Sequence, residues 1–127
     1  MDFSGDHGEL RRMMDEFAEL MTSSQAGGCA ALPRARLIFS KRFASHMAEE
    51  ADHFRALAAT PAGSRFLPLF REYEDRVRHL RADYSAHVRK WTPEAIDRNW
   101  PDYVSAVLAL QNRFRILMDW EERKLAH

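Results

Sequence analysis

Phe66, Phe70, Tyr73, Val77, Leu80, Tyr84, His87 and Trp91 follow one another at steps of four and three. That spacing draws one apolar and aromatic seam along a helix for nearly four heptads, and a seam of that length needs partner helices to cover it. Three groups of helix breakers divide the chain: SSQAGG at 23–28, ATPAGS at 59–64 and WTPEAIDRNWP at 91–101. The four segments between them all carry helical periodicity, and neither β-branched clusters nor hairpin turns stand out. With 127 residues, 46% of them apolar and only five Gly and five Pro, the chain is long enough to bury one core. The expectation is a single all-α domain over residues 1–127, an antiparallel up-down-up-down four-helix bundle.

The helix ends are marked locally. Asp6 with Glu9 three residues on reads as a capping box opening helix 1, whose apolar face runs through Leu10, Met14, Phe17 and Met21. Pro33 marks the start of helix 2, with a stripe through Phe39, Phe43, Phe54 and Leu57. Pro68 fits helix 3 because it falls in the first turn. Thr92 before Pro93 reads as an N-cap, opening a short turn ahead of the main fourth helix. That helix runs from about Pro101 with Val104, Val107, Leu110, Phe114, Leu117 and Leu125 on one side. The methionines, including Met13, Met14, Met21, Met47 and Met118, serve as core filling.

Charge excludes several function classes. Nineteen basic residues balance nineteen acidic ones, so nothing points to nucleic acid as a partner. The first 21 residues hold six acids and two Arg, while residues 71–90 hold six basic residues and four acids, as if an acidic and a basic helix faced each other. The single cysteine, Cys29, rules out an intrachain disulfide and a CxxC metal site, and a lone loop thiol suits a reducing compartment. No apolar run reaches a membrane-spanning length, and the start MDFSGDHGEL is unlike a signal peptide, so the cytoplasm is the expected location. A Ser/His/Asp grouping, a Gly-rich phosphate loop and an HExxH motif are all missing, so the chain does not read as an enzyme.

Chemistry concentrates in SHMAEEADHF, residues 45–54. His46 and Glu50 stand four apart on the apolar stripe of helix 2, so both project from one face and can reach one metal ion. Taken alone, the pair reads more plainly as a hydrogen-bonded core His–Glu pair, or as a stripe that opens to solvent. His7, on the helix 1 stripe, shifts that balance, because in an antiparallel bundle the start of helix 1 lies beside the end of helix 2. Helix 3 starts at that same end, and at ~1.5 Å per residue its positions level with the pair are about 72–76. Tyr73 is the residue of right depth and phase, either as a ligand to ferric iron or, more commonly for a tyrosine, as a core aromatic bonded to a neighbour. His53, one turn past Glu50, is either a residue orienting Glu50 from behind or a partly exposed helix histidine.

With DHGEL at 6–10 and HMAEE at 46–50, the chain resembles the hemerythrin-like, or HHE cation-binding, family. The resemblance implies a His opening helix 1, HxxxE on helix 2, a His on helix 3, and a His plus carboxylate on helix 4. The second half departs from that pattern. MDWEERKL at 118–125 echoes HMAEEADH, which puts Met118 where a ligand His belongs and Glu122 in the carboxylate place. The implied metal set is then His7, His46, Glu50 and Glu122, with Tyr73 in question. That set suits one iron or zinc ion and is too poor in imidazole for the full di-iron centre of that family. The function so implied is metal binding, with a redox- or gas-sensing regulatory role.

A metal-free bundle that binds another protein is the alternative. FRILMDWEERKL bears a looser likeness to helical anti-sigma regulators, and Arg76 and Arg78 on the basic face of helix 3 would then be contact residues. Histidine phosphotransfer through His79 is a minor variant, since RHLRADYS has neither the Lys nor the Gly that such a signature wants after the histidine.

Overall fold

The computed structural model describes residues 4–23 and 31–124, and every regular element among them is helical. Helix α1 spans Ser4–Thr22, α2 Leu32–Ala58, α3 Leu67–Lys90, α4 Pro93–Arg98 and α5 Trp100–Lys124, with a 3-10 turn at Ala62–Phe66 leading into α3. None of these helices is long and apolar enough to cross a membrane. Cys29, Leu125 and His127 lie outside the described residues.

Local sequence sets most of the boundaries. Pro33 and Pro68 each fall in a first helical turn, where the missing N–H costs no hydrogen bond. Thr92 caps α4, its side chain accepting from the Ala95 N–H at 3.2 Å. The capping box expected at Asp6 and Glu9 does not form. Helix α1 is already running at Ser4, and both carboxylates instead hold Arg42 of α2, at 2.6 Å and 3.1 Å.

α1 packs on α2 and α5, and α3 packs on α5 and α2. The seam of α3 buries Tyr73, Val77 and Leu80 completely and Phe70, Tyr84 and His87 in part. Two stripe residues break the expectation. Leu57 is 43% exposed and Phe66 45%, because both sit at the α2–α3 turn, beyond the helices that would cover them. The expected facing of an acidic first helix and a basic third helix is also absent from the observed ion pairs. Asp15 of α1 pairs with Arg115 of α5, while Arg76 and Arg78 of α3 pair with Glu72 and Asp75 of their own helix.

An aromatic layer of Phe39, Phe43, Tyr84 and Phe114 crosses the middle of the molecule, with ring centres 4.5–6.3 Å apart. Leu10, Met14, Met47 and Met118 continue the core toward one end. There a buried polar cluster interrupts the core, which still includes Phe54 and Trp120.

Candidate metal centre

Four helices deliver the cluster. His7 comes from the first turns of α1, His46 and Glu50 from the second half of α2, Tyr73 from the first half of α3 and Glu121 from the end of α5. His7, His46, Glu50 and Glu121 are all at most 2% exposed, and one ligand atom from each lies within 4.8 Å of the others. The inward atoms are imidazole Nε2 and carboxylate Oε2. His7 Nε2 lies 3.3 Å from Glu50 Oε2 and 3.1 Å from Glu121 Oε2, and His46 Nε2 lies 3.1 Å from Glu50 Oε2.

Each outward atom has its own support. His7 Nδ1 faces Glu122 Oε1 at 3.2 Å, and His46 Nδ1 faces Asp6 Oδ2 at 3.1 Å. Those two carboxylates are anchored in turn. Arg11 grips Glu122 with both terminal nitrogens, at 2.9 Å and 2.8 Å, and Arg42 donates to Asp6 at 2.6 Å. The Tyr73 hydroxyl donates to Glu50 Oε1 at 2.8 Å. Imidazoles backed by carboxylates at Nδ1, with Nε2 turned toward a common centre, are the arrangement that fixes a histidine for metal ligation.

Burial and charge set the protonation. Burial opposes a charge on His7, but Glu121, Glu50 and Glu122 around the ring outweigh it and hold its pKa up at about 10. His46 is raised as well, with burial overcome by Glu50 and Asp6. Burial works against ionised Glu50 too, yet hydrogen bonds from His46 and His7 keep it well below the usual range. Glu121 goes the other way. Its burial, with Glu50 alongside, lifts it to about 8 despite His7. Neither Glu121 oxygen makes a hydrogen bond of proper geometry, and the 3.1 Å approach of His7 Nε2 is the ion-pair contact it has. A buried carboxylate that is so poorly satisfied is costly unless something further takes its lone pairs. The donor set fits a cation. A tetrahedral ion with ~2.0–2.1 Å bonds spaces its ligand atoms about 3.3 Å apart, close to the contacts already in place.

Of the residues singled out from sequence, the structure brings His7, His46 and Glu50 together and sets Tyr73 against them at the expected depth. Glu122 stands behind His7 on the rim, partly exposed, and Glu121 holds the inward position. The signal for Glu121 lay in the helix's own spacing. Tyr103, Val107, Leu110, Phe114, Leu117 and Glu121 run at steps of four and three, and all are buried. The echo of HMAEE led instead to the neighbour one residue on. Met118 is 2% exposed and packs in the core. His53 is partly buried, with its ring edge-on to Phe54 at 5.2 Å, and the hydroxyl bonded to Glu50 is that of Tyr73. Asp6, Glu9, Arg11 and Arg42, the outer supports, carry no sequence signature of that role.

The remaining candidates lie elsewhere. His79 is exposed and bonds the Asp75 carbonyl of its own helix. Arg76 lies over the Trp120 ring at 4.6 Å. No family model, no curated protein and no solved structure matches this chain.

Proposed function

We propose that the chain is a hemerythrin-like metal-binding protein, an antiparallel up-down-up-down bundle holding one iron or zinc ion on His7, His46, Glu50 and Glu121. The observation that carries this reading is the convergence of two Nε2 and two carboxylate oxygens at a buried point, with both Nδ1 atoms already backed by anchored carboxylates. The adjacency of the long helices, and the meeting of the start of α1 with the end of α5, support the bundle topology. The chain's own part is to orient the ligands. Asp6 and Glu122 accept from the Nδ1–H groups, which turns both Nε2 atoms inward, and Tyr73 fixes Glu50. The protons that His7, His46 and Glu121 hold without the ion are displaced when it binds. Two imidazoles and two carboxylates suit four-coordinate zinc, or ferrous iron with positions left for a small molecule, and the second case underlies a redox- or gas-sensing regulatory role. Two imidazoles fall short of the full di-iron centre that the hemerythrin-like resemblance implies.

Elemental analysis of the purified protein, and of protein reconstituted anaerobically with Fe²⁺ or with Zn²⁺, tests the reading. Near-stoichiometric metal is expected, and His46→Ala should lose it while circular dichroism still reports the helices. Protein that arrives metal-free and takes up neither ion overturns the proposal.

A further inference from the structure

Across the aromatic layer from the cluster, a cavity of about 430 Å³ opens between α2, α3 and α5. It is a cleft open to solvent along one side, not a void enclosed in the core. It lies within the range of small-molecule sites. Its walls are aromatic. Trp91 meets Tyr103 edge-on at 5.4 Å, and His87 stacks beside Tyr103 at 6.0 Å and Tyr84 at 6.5 Å. Leu37 and Val88, 55% and 44% exposed, form its rim.

The charge of the lining is one-sided. Among the described lining residues Arg36 is the one charged side chain and none is a carboxylate. Arg36 is half-buried, spends one terminal nitrogen on the Trp91 carbonyl at 3.0 Å and lies 5.8 Å from the centre of the Tyr103 ring. No acidic residue among those described pairs with its remaining donors. A guanidinium in a largely apolar pocket, without an acidic partner, is a fork for a planar anion. Burial first, then the charges of Arg36 and Lys90, keeps His87 neutral with a pKa of about 4, so it offers a hydrogen bond without a second charge.

We infer that this cavity binds a small aromatic carboxylate, with its ring against Leu37, Tyr84 and Val88 and its carboxylate on Arg36. None of the lining residues belongs to the metal cluster, so the inference stands or falls apart from that reading.

Isothermal titration of the whole protein with 2-naphthoate and with 2-naphthylmethanol, its uncharged counterpart, tests it. Naphthoate should bind one to one, and the alcohol about tenfold more weakly or worse. Arg36→Gln should weaken naphthoate by a similar factor and leave the alcohol unchanged. Val88→Trp, a change at an exposed rim position that spares the core, should block both probes. In NMR, naphthoate protons should show cross-peaks to Leu37, Tyr84 and Val88. Absence of saturable binding by either probe overturns the site, as do cross-peaks to other residues. Equal affinity for the two probes, or an inert Arg36→Gln, overturns the assignment of an anion.

Discussion

Glu121 and Glu122 differ by one position and by about 100° around α5, and that rotation separates two chemistries. Glu121 is buried to 2% exposure with an oxygen 3.1 Å from the His7 imidazole, while Glu122 sits at the edge, held below its usual pKa by Arg11. If Glu121 is a ligand, Glu121→Gln should lower metal affinity roughly a hundredfold or more, and Glu122→Gln only about tenfold, the low end for a group supporting a ligand from behind. Competition against a chromophoric chelator separates the two. Equal losses would mean that neither residue binds the ion directly. Tyr73 supplies a second residue-scale test. Burial, followed by the nearby charges of Glu50 and Glu121, pushes its hydroxyl pKa up, so it stays a donor at any ordinary pH. Tyr73→Phe leaves Glu50 Oε1 without that bond and should cost about 1–3 kcal/mol in metal-free protein, measured by urea unfolding. An unchanged midpoint would show that the hydroxyl is not holding Glu50.

At the scale of elements, the turn between α2 and α3 is a tightly constrained piece of backbone. Gly63 is buried, donates its N–H to the Thr60 carbonyl and Oγ1 at 3.0 Å each, and lies so close to α2 that a Cβ would stand 1.8 Å from the Leu57 carbonyl oxygen. Gly63→Ala must therefore displace the end of α2, and a loss of roughly 2 kcal/mol or more is expected in urea unfolding. A loss below about half a kcal/mol would show that the turn yields freely. The breaker ATPAGS made this turn legible from sequence, though not the close approach, which depends on where α2 returns. The seams of α1 and α3 were equally legible, since a helix repeats every 3.6 residues whatever it packs on. Leu57 and Phe66 misled because periodicity tells which face is apolar but not how far a neighbour extends to cover it. His46 and Glu50 were legible as a pair because both belong to one helix. Asp6 behind His46 and Arg11 behind Glu122 bring together residues 40 and 111 positions apart, and no local pattern announces such a meeting.

For the whole molecule, the cluster ties stability to pH in a definite direction. His7 and His46 have folded pKa values above the usual 6.5. Their contribution is therefore fully present below pH 6.5 and is lost as pH rises toward the folded value, about 10 for His7. Glu121, lifted from 4.5 to about 8, acts with the same sign and weakens the fold as pH climbs between those values. Asp6, Glu50 and Glu122 are depressed, so their contribution is present above the usual carboxylate range and fades as pH falls through it. Metal-free protein should therefore be most stable at about pH 5–6 and should lose melting temperature steadily toward pH 10. An ion competes for the same sites as those protons, so metal binding should strengthen over that interval and the loaded protein should reach its maximum above about pH 7. Scanning fluorimetry of both forms across pH 4–10 makes the comparison. If the metal-free curve stays flat from 6 to 10, His7 is not holding a proton between Glu50 and Glu121. If the two curves run parallel, the ion is bound somewhere other than on those groups.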